Sequence, residues 1–371
     1  MAERTERLEQ LAAKVAAAGL DWLLISAPLN VRWLTAFTGS NALALCPADL
    51  GRNPAVLLTD FRYSEQAAAQ APSAWQIEIS ASELLGPGLA EHFPVPDIEG
   101  SGYGSIGYDD KQITVAQLGA LRAAFDVRAQ LEPLSGSVEE LRVIKSKGEV
   151  EKIRAAAQLA DAAMVELLKH GLVGRSEVEV ALELELSIRR LGAQQLSFPP
   201  IVAAGAHGAL PHAEPRDVQI EEGQMVTIDW GAELDGYCSD CTRTYFTGEV
   251  DDAQARIYDL VLEAQLAAIE VVKPGPTGRE VDLVARAIIE DGGFAENFGH
   301  GLGHGVGLDV HEAPRLSRHG DAALEAGMVV TVEPGIYVAG QCGVRIEDLL
   351  LVTDQGSETL GSLPKERQLV S

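Results

Sequence analysis

Four carboxylic acids stand in or beside runs that are otherwise apolar, and they limit sharply what this chain can fold into. Asp229 follows Met225-Val-Thr-Ile228, and Asp240 lies within Tyr237 to Phe246. Glu333 follows Met328-Val-Val-Thr-Val332, and Glu347 interrupts Val344-Arg-Ile-Glu-Asp-Leu-Leu-Leu-Val352. Runs of this composition read as buried strands. A buried carboxylate is costly unless it is paired or bound to a metal. A fold that gathers the four around positive charge answers that cost.

The acids also recur in a pattern. Gly223 stands six residues ahead of Asp229, and Gly327 six ahead of Glu333. Each is followed by a hairpin with a second acid, Asp240 beyond the Asp235-Gly236 turn and Glu347 in the later copy. Two helices precede each hairpin, over about 147–169 and 176–191, then about 252–272 and 277–292. Ser176-x-x-Glu179 and Thr277-x-x-Glu280 are capping boxes. The repeat of two helices and a hairpin predicts a domain with pseudo-two-fold symmetry. Asp229 is expected to face Asp240 across one hairpin, and Glu333 to face Glu347 across the other.

Three of the chain's eight histidines fall within His300-Gly-Leu-Gly-His304-Gly-Val-Gly-Leu-Asp-Val-His311-Glu312. Gly303 and Gly305 permit close backbone approach beside His304. The alternation from Leu308 to His311 reads as a strand. No Gly-x-Gly-x-x-Gly leading into a helix is present, so a phosphate loop is not supported. If the two hairpins pair face to face, the four carboxylates converge with His304. One imidazole with four carboxylates is a hard-leaning set that suits two divalent ions, such as manganese or cobalt. Two such ions can share a water, lower its pKa and polarise a carbonyl. The reaction class implied is metal-assisted hydrolysis.

A length of 371 residues implies two domains. Helices over about 4–18, 63–71 and 115–125 alternate with strands over 21–26, 55–59 and 107–108, with a short helix and turn at 30–39. That alternation makes residues 1–137 a small α/β domain. Residues 138–371 form the second domain, entered through a bridge at 138–143. The first helix presents Leu8, Leu11, Val15 and Ala18 on one face. A net charge of −26 opposes nucleic-acid binding. The polar start of the chain does not read as a signal peptide, and no apolar run reaches the ~20 residues that span a bilayer. The four cysteines fit a reducing cytoplasm. Cys238-Ser-Asp-Cys241 lacks partners that would complete a zinc set, and reads as two thiols on a strand.

These motifs resemble the proline-specific branch of the M24 metallopeptidase family, which shares its pita-bread fold with methionine aminopeptidase, aminopeptidase P and prolidase. The resemblance spans nearly the whole chain. It is most specific in Ile228-Asp-Trp-Gly-Ala232, Tyr237-x-x-Asp240-x-Thr242-Arg-Thr244, Gly303 to Glu312, Val332-Glu-Pro-Gly-Ile-Tyr337 and Val344-Arg-Ile-Glu-Asp348. Phe198-Pro-Pro-Ile-Val202 and Leu210-Pro-His212 match as well. The fold implied is a creatinase-like α/β N-terminal domain plus an α+β pita-bread catalytic domain. By this resemblance Asp229 chelates one ion, His304 and Glu333 bind the other, and Asp240 and Glu347 bridge. Two divalent ions per chain are implied, with manganese expected and cobalt or zinc as alternatives.

His212 and His311 correspond to imidazoles that hold the scissile carbonyl and stabilise the oxyanion. His300 corresponds to one near the prolyl side. Glu333 would relay a proton to the leaving nitrogen, assisted by Arg345, or Arg345 serves only as a salt bridge that fixes Glu347. Thr242 and Thr244 orient Asp240 or are ordinary strand threonines. Arg315 matches a prolidase position that binds the free carboxylate of the substrate, a task suited to a guanidinium, or it is a solvated arginine. The activity implied is Xaa-Pro dipeptidase. Arg32-Trp-Leu-Thr35 and Thr59-Asp60-x-Arg62-Tyr63 resemble small aminopeptidase P-like members, in which this domain contributes to the dimer and narrows the active-site mouth. They make an Xaa-Pro aminopeptidase for longer peptides the alternative, and a homodimer the expected assembly. A metal-free creatinase-type amidinohydrolase and a metal-free peptide-binding module use the same fold, but all five ligand positions are filled here.

Overall fold

The computed structural model describes residues 2–94, 104–125 and 128–370, in two compact units, Met1–Leu141 and Arg142–Ser371. The first unit contains α1 (Ala2–Ala17), β1 (Trp22–Ile25), α2 (Pro28–Thr35), β2 (Ala42–Pro47), β3 (Ala55–Asp60), α3 (Ser64–Gln70), β4 (Trp75–Ser80), α4 (Leu89–Glu91), β5 (Gly104–Tyr108), α5 (Val115–Phe125) and β6 (Ala129–Pro133). Its mixed sheet has the order β4-β3-β2-β1-β5-β6, with β2 antiparallel to both neighbours and the remaining pairs parallel. Trp22, Leu24, Leu45, Leu58 and Phe125 pack in its core. Helix α1 buries Leu8, Leu11 and Val15, whereas Ala18 lies beyond its end and is exposed. Strand β2 is built from alanine and leucine, residues that favour helix, so its composition conceals it.

A short turn of helix, α6 (Glu139–Arg142), precedes the second unit's repeat. The first half holds α7 (Lys147–Leu168), α8 (Glu177–Arg190), β7 (Gln195–Leu196), β8 (Ile201–Ala204), β9 (Met225–Trp230), β10 (Ala232–Leu234), β11 (Tyr237–Cys238) and β12 (Cys241–Phe246). The second holds α9 (Asp252–Val271), α10 (Gly278–Asp291), β13 (Gly303–Gly305), β14 (Glu312–Leu316), β15 (Val329–Val332), β16 (Gly335–Val338), β17 (Cys342–Arg345), β18 (Asp348–Val352) and β19 (Ser357–Thr359). Ser146, Ser176 and Thr277 open α7, α8 and α10 with reciprocal capping boxes. Each such cap stabilises its helix by about 1 kcal/mol. The repeat extends to the backbone, because the caps of α8 and α10 form matching bridges, Ser176 to Gln219 and Thr277 to Ala323.

Each half has its own core. Met164, Leu184, Val202, Ile228 and Trp230 pack under α7 and α8, and Val261, Ile289, Val330, Val344 and Leu350 under α9 and α10. The hairpins meet where Glu347 N donates to Thr242 O at 3.1 Å and Arg345 N donates to Thr244 Oγ1 at 3.2 Å. The acids therefore converge, but not in the register expected. Asp229 lies opposite Thr242, and Asp240 falls just ahead of β12. Glu333 sits in the break between β15 and β16, and Glu347 in the break between β17 and β18. Leu308 to His311 is a bend rather than a strand. Gly307 N bonds to Asp309 O at 3.0 Å, and Asp309 N to Glu312 Oε1 at 3.0 Å, which turns the chain instead of extending it.

Candidate metal centre and its cavity

The five expected metal ligands, together with His212, His300, His311, Arg315 and Arg345, all line one cavity of about 550 Å³, within the second unit. Close backbone packing makes it possible. A Cβ at Gly303 would lie 2.0 Å from Thr331 O, and one at Gly305 2.1 Å from Ala313 O. Only glycine lets β13 sit that deep and carry His304 into the centre. Asp240, His304 and Glu347 offer ligand atoms that all lie within 4.8 Å of one another.

The hydrogen bonds fix the chemistry of that cluster. His304 Nδ1 lies 3.1 Å from Gly305 O, which can only accept, so Nδ1 carries the proton in the neutral ring. Its Nε2 lies 3.2 Å from Glu333 Oε1 and 3.6 Å from Asp240 Oδ2, so in the neutral ring the Nε2 lone pair would be the one offered to a cation placed among these acids. Each of two further acids has one oxygen held and one left over. Asp229 Oδ2 accepts from Arg345 Nη2 at 2.7 Å, and Glu347 Oε2 accepts from Thr242 Oγ1 at 2.7 Å. Asp229 Oδ1 and Glu347 Oε1 are buried without a partner. Inward lone pairs and orphaned oxygens, backed by hydrogen bonds that orient the rest, are what a divalent cation requires.

Charge tells the same story. Burial, reinforced by Glu347 and Asp229, pushes the Asp240 carboxyl well above its usual range. Burial together with Glu333 and Asp229 does the same to Glu347, and burial raises Asp229 despite Arg345. Burial raises Glu333 too, but in the absence of a cation Glu333 draws His304 toward its protonated form, and the hydrogen bond and charge of that ring hold Glu333 low. Without a cation among them, these acids cannot all ionise.

The other predicted residues surround this cluster. His311 stacks edge-on to His304 with ring centroids 4.4 Å apart. His300 belongs to a defined chain. Arg345 Nη1 donates to Tyr337 Oη at 2.9 Å, Tyr337 Oη lies 2.9 Å from His300 Nε2, and His300 Nδ1 lies 2.8 Å from Gly301 O. Gly301 O accepts, so Nδ1 is protonated and Tyr337 donates to Nε2. Burial also lowers the pKa of His300, consistent with a neutral ring. Arg315 and His212 are exposed at the cavity, and among the described residues neither side chain has a hydrogen-bond partner.

Two expectations are corrected. Arg345 pairs with Asp229 rather than Glu347. Thr242 orients Glu347 rather than Asp240, and Thr244 bonds the backbone of Arg345. The register explains both, since Thr242 and Thr244 project toward the second hairpin. Tyr337 was legible as part of a motif, but its link between Arg345 and His300 was not. Cys238 and Cys241 are free thiols beside Asp240, and burial pushes Cys238 up to about 12.

Known proteins resemble both units of the chain. Residues 151–354 match the model of Metallopeptidase family M24, and residues 7–144 that of the Creatinase/Prolidase N-terminal domain. The chain is 41% identical to the uncharacterized peptidase YqhT of Bacillus subtilis, over 97% of this chain and 99% of that protein. The Xaa-Pro dipeptidase from Bacillus anthracis superposes with a TM-score of 0.92 at 40% identity, covering 99% of both chains. The X-Pro aminopeptidase from Thermotoga maritima does so with a TM-score of 0.86 at 34% identity, covering 95% of this chain and 98% of that one. On these matches, this chain belongs to metallopeptidase family M24.

Proposed function

We infer that the protein is a metal-dependent exopeptidase that hydrolyses Xaa-Pro bonds, with Xaa-Pro dipeptides as its preferred substrates. The observation that carries the reading is the cavity itself, where a carboxylate and imidazole cluster lies beside an arginine with no acidic partner among the described residues. The similarity to an Xaa-Pro dipeptidase supports the substrate class. The similarity to an X-Pro aminopeptidase favours a second reading, in which longer peptides are also cut from their amino end.

In this reading Asp240 and Glu347 would contribute to both of two divalent-ion sites, Asp229 would complete one site, and His304 with Glu333 would complete the other. Hard oxygen donors with a single imidazole favour manganese, with cobalt or zinc as substitutes. Such ions, when bound, supply a water of lowered pKa and polarise the scissile carbonyl. The residues of the chain do the remainder. His212 and His311 bind the carbonyl oxygen and donate to it as negative charge develops. Glu333 accepts the proton of the attacking water and returns it to the prolyl nitrogen as the C–N bond breaks. Arg345 holds Asp229 in place, and through Tyr337 keeps His300 neutral beside the proline ring. Arg315 receives the substrate carboxylate.

The resemblance of the N-terminal motifs to dimeric members supports a homodimer, which sedimentation velocity tests. The free thiols, three of them buried, fit a reducing compartment. No helix among the described residues is long and apolar enough to cross a membrane. A panel of Xaa-Pro, Xaa-Pro-Xaa and longer peptides, assayed with manganese, tests the function. Cleavage of Xaa-Pro above all others is expected, and cleavage of peptides without proline at equal rates contradicts it.

A further inference from the structure

Glu177 is fully buried at the start of α8, away from the acids that line the cavity. A buried carboxylate needs partners, and all of its partners belong to one loop. Its Oε1 accepts from Ala204 N at 3.0 Å and from Arg216 Nη2 at 2.9 Å. Its Oε2 accepts from Arg216 N at 2.9 Å and from Arg216 Nε at 3.0 Å. His207 Nδ1 lies 3.0 Å from both oxygens. Ala204 ends β8, Arg216 closes the loop, and His212 rides between them. Residues 211–216 form no helix or strand, and the exposed His212 ring has no hydrogen bond among the described residues. Where His212 points therefore depends on how the loop is anchored.

The second half of the repeat shows that the helix does not need this carboxylate to dock. Glu177 N bonds to Val218 O, and Val178 N to Arg216 O. In the matching places Gly278 N bonds to Ala322 O, and Arg279 N to Gly320 O. The residue equivalent to Glu177 is thus Gly278, where a Cβ would lie 2.1 Å from Arg315 O. The same helix entry is made with no side chain at all. The carboxylate is particular to the half whose loop carries His212.

We propose that Glu177 is a positioning residue for catalysis, clamping both ends of the 204–216 loop so that His212 is held over the cavity. This rests on the reading of His212 as a group that acts on the scissile carbonyl. The negative charge also sits at a helix N-terminus, which favours it, and Arg216 holds it ionised against the effect of burial. In Glu177→Gln an amide N–H₂ would confront donors that now meet an oxygen.

The test uses the manganese-loaded full chain. Hydrogen–deuterium exchange, metal content, kcat and KM are measured for wild type, Glu177→Gln, Arg216→Ala and His212→Ala. In Glu177→Gln, exchange across 205–216 should accelerate while that of β9 and β15 holds. Its metal content should match wild type, and kcat should fall about tenfold to a hundredfold with a smaller change in KM, the scale of a small misplacement. Arg216→Ala should move exchange and kcat in the same direction by less, and carries the test if Glu177→Gln does not fold. Unchanged exchange at 205–216, or a kcat loss that merely follows metal loss, overturns the clamp. Full turnover in His212→Ala instead overturns the role of His212, and with it the catalytic half of the proposal.

Discussion

Arg315 offers a test in which the substrate itself can be altered. Its guanidinium lines the cavity, is exposed, and has no acidic partner among the described residues. If it receives the carboxylate of an Xaa-Pro dipeptide, the pair forms two charge-assisted hydrogen bonds. Hydrogen bonds to charged groups contribute about 1.5–3 kcal/mol. The exposure of Arg315 places the expected value at the lower end, because water screens the pair. Arg315→Ala should therefore lower kcat/KM for Xaa-Pro by about tenfold, at about 1.4 kcal/mol per decade. The matched control is the Xaa-Pro amide, which keeps the size of the dipeptide and loses its charge. Burial and His304, with a further contribution from Arg315, lower the pKa of neighbouring His311, so the substitution has a second effect. That effect is common to both substrates and cancels in a double-mutant cycle. A coupling near zero, with acid and amide losing equally, refutes the carboxylate role and shifts the reading toward the aminopeptidase.

Further outcomes follow from the same geometry. His311→Ala and His212→Ala should retain wild-type metal content, measured by elemental analysis, yet lose most of kcat; loss of metal in either would make that residue a ligand. Tyr337→Phe removes the donor to His300 and should cost about 1 kcal/mol in kcat/KM with metal content unaltered; an unaffected kcat/KM would place the chain outside the reaction. Glu312 is buried against Arg142 and Lys145, whose charges overcome burial and hold its carboxyl below the usual range. A depressed folded pKa contributes stability that is present above the unfolded value, and is lost as pH falls through the folded one. Glu312→Gln should therefore destabilise by about 3 kcal/mol at pH 7, as for a broken buried pair, and by less near pH 4. Urea titrations at both pH values check this, and an equal loss at both would contradict it.

Much of the catalytic unit was legible because its chemistry is local. Ser176 with Glu179 and Thr277 with Glu280 announce helix starts, and the acids stand out on apolar strands. Gly303 and Gly305 mark the tight packing that places His304. What the sequence hid depends on register across the pseudo-symmetric halves. Nothing local says that Thr242 faces Asp229 within its hairpin, yet hydrogen-bonds Glu347 of the other. Arg345 lies next in sequence but one to Glu347 and reads as its partner, while the fold gives it to Asp229. Leu308 to His311 alternates like a strand, but Gly307 and Glu312 close it into a bend. In the first unit, β4 and β6 are partly exposed and polar, and so carry little of the apolar signal by which strands are recognised.

Xaa-Pro hydrolysis is expected to depend on ions held by Asp240 and Glu347. The direct measurement is a manganese titration of chelator-treated protein, following bound metal and Xaa-Pro turnover together, for wild type and Glu347→Ala. Activity in the wild type should be absent before metal is added and rise with bound metal, whereas Glu347→Ala should bind little and remain inactive. Turnover that persists in chelator, or a Glu347→Ala variant with full metal content and wild-type rates, would rule out a metal site at these acids.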